Sequence, residues 1–357
     1  MSLFDQIAHY GHERVCFHHD PETGLRAIVA IHNTVLGNAL GGTRRWHYTS
    51  EDEAIFDVLR LSEGMTYKAA ASDLPMGGAK SVIMLPKDGQ AGTEAEARAM
   101  GRFVDTFGGT YIAAEDVGVN TQFCDWMAKE TKYVMGGVSI SRGGDPSPYT
   151  SQGCFNAMKA VLAHLGRTVS FSGLTVAIQG LGATGFKLAK ILRDQGATVI
   201  GTDVNDAAVK RAVDELGVKA LDRDHDLFRL DCDILAPCAL GGVLGADVIN
   251  HLRCKAVCGT SNNVLGDPET DGPLLKKRGI LYAPDFIANA GGLIRLAGLY
   301  IGLAEAQIDK KIADVEETMA SVLREGESMA SMHEAAVALA KRKIEAGRAK
   351  NRSMART

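Results

Sequence analysis

The stretch "MTYKAAASDLPMGGAK" (65–80) carries two lysines, Lys68 and Lys80, among small and apolar residues rather than among solvated ones. Two neighbouring ammonium groups can divide one task. One stays charged and grips a carboxylate, while the other, desolvated and repelled by the first, has its pKa lowered until it can serve as a base. Gly77 and Gly78 would let the backbone approach a ligand. The plainer alternative is a pair of surface lysines at the two ends of a glycine-rich turn.

A second stretch could bind phosphates. "QGLGATGFKLA" places Gly180, Gly182 and Gly185 in a G-x-G-x-x-G pattern, after a strand-like run and at the opening of a helix-like one. Gly180 suits the tight turn, Gly182 lets the backbone approach a pyrophosphate, and Gly185 lets helix and strand pack. The unpaired N–H groups of the helix start favour anions. Asp203 ends the next strand about twenty residues on, where it would accept from ribose hydroxyls. A 2′-phosphate there would meet like charge, and no Lys or Arg follows until Lys210, which favours NAD over NADP. The expected cofactor set is Gly180, Leu181, Gly182, Ala183, Thr184, Gly185, Asp203 and Val204. It is joined by Cys238 and Ala239 of "APCALGG" and Asn262 of "GTSNN", at later strand ends. A glycine-rich turn in any α/β protein is the competing reading.

These groups need elements to position them. "LRAIVAIHN" (25–33), "KSVIMLP" (80–86) and "TYIAAED" (110–116) read as strands, and 51–64 and 93–107 have helical spacing. The cluster "SRGGDPSP" (141–148) is the candidate hinge. A helix over roughly 151–165 follows, and from "LTVAIQG" onward short strands alternate with helices of ten to fifteen residues, which implies an open parallel sheet. The long final third is helical.

With 357 residues the chain divides most naturally into two domains. A net charge of −4 argues against a nucleic-acid partner. The exception is Lys341–Thr357, with seven basic residues, which reads as a solvated, frayed end. Seven scattered cysteines with no Cys-x-x-Cys pair argue against disulfides and zinc, and "CFHHD" (16–20) puts neighbours on opposite strand faces, so no metal is expected. No leader-like segment and no membrane-length apolar run are visible, so a cytoplasmic protein without a membrane partner is the default.

Taken together, "GGTRRWHY" (41–48), "GMTYKAA" (64–70), "LPMGGAKSVI" (74–83), "YIAAEDVG" (111–118), "DPSPYTSQG" (145–153), "GLGATG", "CDILAPCALGG" (232–242), "TSNN" and "YAPDFIANAGG" (282–292) resemble the glutamate/leucine/phenylalanine/valine dehydrogenases, most of all the leucine branch. The match runs in order from about residue 25 to 296. It implies an α/β protein of two domains, an N-terminal substrate and oligomerisation domain and a Rossmann-like dinucleotide domain, with the active-site cleft between them. The expected bounds are 1–140, rejoined by a C-terminal helix from ~325 to 357, and 141–325.

The implied reaction is reversible, NAD-dependent oxidative deamination of an apolar L-amino acid to the 2-oxo acid and ammonium, in a homo-oligomer. By the family pattern Lys68, Gly41 and Gly42 hold the α-carboxylate, Lys80 activates water, and Asp116 shuttles protons. Thr150, Asn262 and Asn289 orient nicotinamide and substrate, and Met65 belongs to the substrate-binding set. Leu40, Ala114, Met135, Leu293 and Leu296 are expected to line an apolar pocket with no cation, which argues against glutamate. Domain closure about 141–148 is expected to exclude water. The chain departs from the leucine pattern at Arg45, Ser72–Asp73, Pro86 and Met135, which bears on the side-chain pocket rather than on the catalytic set. An aromatic-preferring dehydrogenase and a catalytically idle NAD-binding sensor are the alternatives.

Overall fold

A computed structural model describes residues 2–87, 89–138, 143–221 and 226–354 of the chain. They divide into one unit of 1–146, 295–304 and 340–357, and another of 147–294 and 305–339. The sequence reading placed the boundary near 140 and gave the first domain everything after ~325. In the structure the break falls at Pro146/Ser147, and 325–339 cluster with the second unit.

The first unit is built on a five-stranded mixed sheet: β1 (Arg14–Asp20), β2 (Leu25–Asn33), β3 (Ala39–Trp46), β4 (Gly77–Met84) and β5 (Tyr111–Glu115), in the order β1-β2-β4-β3-β5. β2 is buried except at Arg26, which its nearly unbroken apolar sequence requires of a strand covered on both faces. β3 runs parallel to both β4 and β5 at the centre of the β4-β3-β5 trio. Its glycines and arginines hid it from the hydrophobic pattern. The glycines are there because the chain is crowded: a Cβ on Gly41 would sit 1.7 Å from the Ala79 carbonyl oxygen.

Helices cover both faces. α1 (Leu3–Tyr10) and α2 (Glu51–Ala71) pack through Ala54, Ile55, Val58 and Leu59 onto Ile28, Ala30 and Val82. α3 (Glu94–Asp105) and α4 (Thr121–Met127) pack through Met100, Phe103, Val104 and Phe123 onto Val29, Ile83, Tyr111 and Ala113. α2 starts where Ser50 Oγ accepts from the Glu53 N–H and three acids fill its first turn. It runs seven residues beyond the expected 51–64, because one interior glycine does not stop a helix whose face is buried. Lys68 therefore sits on the last turn of α2, and Lys80 lies inside β4, rather than at the ends of a turn.

The second unit is a six-stranded all-parallel sheet: β6 (Thr175–Gln179), β7 (Thr198–Thr202), β8 (Lys219–Ala220), β9 (Ile234–Pro237), β10 (Ala256–Val257) and β11 (Leu281–Tyr282). The order β8-β7-β6-β9-β10-β11 is doubly wound, with its switch point between β6 and β9. α5 (Ser147–His164) opens the unit, four residues earlier than expected; α6 (Ala183–Asp194) and α7 (Asp206–Leu216) join the first three strands. α8 (Ala246–Ile249), α9 (Pro268–Lys277), α10 (Asp285–Ala288), α11 (Gly291–Tyr300), α12 (Glu305–Ala313) and α13 (Val315–Gly326) follow. Of the expected hinge, Ser141 and Arg142 lie outside the described residues, and Gly143 and Gly144 have φ of 113° and 58°.

The last helix, α14 (Met332–Met354), corrects the expectation of a frayed basic end. Lys343 Nζ lies 3.0 Å from the Ala71 carbonyl and 2.8 Å from Asp73 Oδ2, Asn351 donates to the Val35 carbonyl, and Ala340 and Ile344 pack with Ala70. Basic residues here cap and pair rather than fray. Among the described residues no helix is long and apolar enough to cross a membrane.

Candidate active site

On β3 alternate residues share a face, so Leu40, Gly42 and Arg44 point the same way. Lys80 and Asp116 meet them there. Asp116 Oδ2 accepts from Lys80 Nζ at 3.0 Å and from Arg44 Nε at 2.9 Å. Arg44 Nη1 donates onward to Asp57 Oδ2 at 3.0 Å, and the Tyr48 hydroxyl donates to the same oxygen at 2.7 Å. The result is one chain of alternating groups, Tyr48–Asp57–Arg44–Asp116–Lys80. Gly42 leaves it room: a Cβ there would lie 2.8 Å from Asp116 Cβ and 3.2 Å from Lys80 Nζ.

Burial sets the charges. Lys80 is 4% exposed, and its pKa is lowered, first by burial and then by the Arg44 charge, with Asp116 opposing. The repelling cation is therefore Arg44, where the sequence reading gave that part to Lys68. Burial alone would raise Asp116, but Lys80 and Arg44 outweigh it and hold the carboxyl at about 2. The site thus contains a carboxylate that stays ionised and an amine biased toward losing its proton.

Lys68 is 8% exposed on the face of α2 that carries Asp57 three turns earlier. Gly77 and Gly78 were expected to admit a ligand, and the structure fills their space with the chain itself. A Cβ on Gly77 would meet the Asn33 carbonyl oxygen at 2.1 Å, and one on Gly78 would meet Thr66 N at 2.1 Å. The smallness of Gly78 lets α2 press onto β4, and that of Gly77 lets β4 press against Asn33 and Gly37. With contacts at Asp57–Arg44 and Thr66–Gly78, α2 runs antiparallel to β3 and β4.

Arg44, Asp57 and Tyr48 escaped the sequence reading. Treating β3 as a strand would have found Arg44, because Gly42 and Arg44 stand two apart. Glu115 escaped as well. Its carboxyl is pushed up to about 7 by burial and by Asp145, and its Oε1 is buried with no hydrogen-bond partner. Arg45, a departure from the leucine pattern, points to the other side and is buried; it binds Glu96 and the carbonyls of Gln90 and Ala91, pinning that loop away from Lys80. Leu40, Ala114 and Met135 are buried in the first unit, and Leu296 packs where a Cβ on Gly143 would touch it. Met65 is half-buried on α2.

In the second unit the glycine-rich turn lies at the carboxyl end of β6. Gly180 has φ 92°, Gly182 has nothing within 4 Å of an added Cβ, and a Cβ on Gly185 would strike the Gly180 carbonyl oxygen at 1.9 Å. Gly182 is the N-cap of α6 with no side chain capping it, so the helix start is open to an anion. Asp203 Oδ2 accepts from Leu181 N–H at 2.7 Å and Oδ1 from Asn205 N–H at 2.8 Å, so the carboxylate also braces the turn. Val204 is fully exposed, and Lys210 is paired with Asp214. Across the switch point, Ala239 crowds Gly180, and Cys238 donates its N–H to the Gln179 carbonyl. Thr184 and Thr260 hydroxyls lie 2.8 Å apart, and Thr150 opens α5 nearby in sequence to Ser151, which donates to the Thr184 carbonyl. Asn289 donates to Asn262 Oδ1 at 2.8 Å and to the Ser261 carbonyl at 2.9 Å, while its own Oδ1 is buried without a partner. Leu293 is buried in the first turn of α11.

Comparison with known proteins matches residues 12–133 to the family described as Glu/Leu/Phe/Val dehydrogenase, dimerisation domain, and 204–352 to Glutamate/Leucine/Phenylalanine/Valine dehydrogenase. The chain is 43% identical to the leucine dehydrogenase of Geobacillus stearothermophilus over 90% of this chain and 87% of that protein. It is 40% identical to the phenylalanine dehydrogenase of Lysinibacillus sphaericus over 90% of this chain and 85% of that one. The crystal structure of L-tryptophan dehydrogenase from Nostoc punctiforme superposes with a TM-score of 0.80 at 35% identity, covering 97% of this chain and 99% of that one.

Proposed function

The chain belongs to the Glu/Leu/Phe/Val dehydrogenase family and is an amino-acid dehydrogenase using a pyridine nucleotide; from that premise we propose that it deaminates an apolar, branched-chain L-amino acid with NAD⁺. The observation that carries the mechanism is the buried Lys80–Asp116–Arg44 cluster.

Gly180–Gly185 and the open start of α6 suit a pyrophosphate, Asp203 a ribose, and the unpartnered Asn289 Oδ1 a carboxamide N–H. Thr150, Cys238, Ala239 and Asn262 complete that set. Bound NAD⁺ supplies an acceptor for the α-hydrogen as hydride, which leaves the substrate an imine. Lys68 holds the α-carboxylate beside the Gly41–Gly42 backbone. Lys80, desolvated and partly repelled by Arg44, takes a proton from water as the oxygen attacks the imine carbon. Lys80, protonated in that step, returns the proton through its bonded partner Asp116, which holds it only in transit, to the departing amine, and ammonium leaves as the C=O forms. Arg44 and Asp57 hold Asp116 in place. Keeping water, base and imine in one geometry removes much of the entropic barrier.

Leu40, Ala114, Met135, Leu293 and Leu296 are all apolar and buried, and none offers the cation that a γ-carboxylate needs. The match over 12–133 to a dimerisation domain supports self-association. Turnover of a panel of L-amino acids with NAD⁺ and with NADP⁺ tests the reading. Leucine, valine or isoleucine should lead with NAD⁺; dominance of phenylalanine or tryptophan would reject the aliphatic substrate.

A further inference from the structure

At the end of the second sheet opposite the glycine-rich turn lies a depression of about 540 Å³. It is lined by Arg167, Arg253, Lys255 and Arg278 around a floor that includes Leu252 and Ile280. Lys255 immediately precedes β10 and Ile280 immediately precedes β11, so the depression is at the amino ends of strands whose neighbours carry the cofactor-type residues at their carboxyl ends.

The charge there is unbalanced. Arg167 and Lys255 share one oxygen of Asp233, at 3.0 and 2.8 Å, and that carboxylate also accepts from the Thr175 N–H. Arg278 is fixed by the carbonyls of Ile249 and Leu252, which orient its guanidinium without neutralising it. Arg253 is exposed, with no ion pair among the described residues. Among those residues Asp233 is the one carboxylate bonded to any of the four cations, and it reaches only Arg167 and Lys255. In a chain of net charge −4, the local concentration of positive charge is out of keeping with the whole.

We propose that this depression is a second anion site, built for a small molecule bearing adjacent phosphate groups. Three planar guanidinium forks suit phosphate oxygens, which accept paired N–H donors. The volume falls in the range of small-molecule sites and exceeds what a single inorganic ion fills. Arg278 is held in position before any ligand arrives, so part of the ordering cost is already met. The site is independent of which amino acid the enzyme turns over.

The test is calorimetric titration of the full-length protein with inorganic pyrophosphate, with and without saturating NADH. The expected result is one saturable site per chain, unaffected by NADH and weakened as salt rises. In Arg253→Glu, an exposed position outside the amino-acid and nucleotide machinery, the affinity should fall about tenfold or more, the effect of one charge-assisted contact. Arg253→Lys should retain most of it. Absence of saturable binding, binding that NADH abolishes, or equal affinity in Arg253→Glu would each overturn the proposal.

Discussion

Asp116 Oδ2 accepts from two cations at once, and that single oxygen decides the state of both. Lys80 alone would pair with Asp116 and keep its proton; Arg44 takes part of the carboxylate's charge and adds a positive field of its own. Removing Arg44 should therefore raise the Lys80 pKa. Because the proposed base works in its neutral form, the rising limb of kcat/KM against pH should move to higher pH in Arg44→Gln, with the activity at neutral pH reduced. A limb that stayed in place, or moved to lower pH, would remove Arg44 from the account. None of this was visible from the lysine pair alone. The types of Lys80 and Asp116 and their place in family blocks were legible, but Arg44 stood in a run with two glycines and a second arginine, where no apolar alternation marked a strand.

At the scale of elements, α2 is the part that brings Lys68 to the sheet, and three features secure it: Gly78 beneath Thr66, Asp57 against Arg44, and α14 against its end. Lys343 caps the Ala71 carbonyl and pairs with Asp73, a non-glycine residue at φ 52°. Lys343→Met should loosen the last turn of α2 and raise KM for the amino acid roughly threefold or more, with a smaller change in kcat, as expected when ground-state binding is lost. Lys343→Arg should restore KM; an unchanged KM in both would leave the helix contact without bearing on the site.

The same helix also makes a pH-dependent contact, through Ser62 and Thr66 in its second half. His12 and His32 are buried edge to face at 4.8 Å, bonded to Ser62 and Thr66. Burial lowers both pKa values, His12 to about 3. The unfolded chain takes up these protons near pH 6.5 and the folded chain does not. Stability should thus fall as pH drops below 6.5, by up to about 1.4 kcal/mol per pH unit for each imidazole that stays neutral in the fold, His12 doing so down to about 3. Thermal denaturation between pH 7.5 and 5 should show this slope, and His12→Leu should flatten it; a flat wild-type profile would contradict it. The C-terminal clamp was unreadable in the sequence because charge composition alone does not distinguish a solvated tail from a helix whose lysines find carbonyls. The parallel sheet was readable because its strands, helices and glycines repeat in one rhythm.

At the scale of the molecule, the doubly wound order puts β6 and β9 side by side and so places Gly180, Cys238 and Ala239 at one switch point. The dipeptide strands β8, β10 and β11 are short enough that their pairing, more than their composition, defines them. In the proposed function, Asp203 is the residue on which the choice of nucleotide turns. Asp203→Ala should raise the NADP⁺/NAD⁺ ratio of kcat/KM by about tenfold or more by removing like charge from a 2′-phosphate. An unchanged ratio would put discrimination elsewhere. The central claim is that buried Lys80 drives hydration of the imine. Its most direct test is the steady-state rate of NADH formation from L-leucine and NAD⁺ by Lys80→Ala, with NADH binding measured on the same preparation. The account predicts a fall in kcat of roughly a thousandfold with nucleotide affinity unchanged, within the span of a lost general base. Turnover within about threefold of wild type, on protein that binds NADH normally, would contradict it.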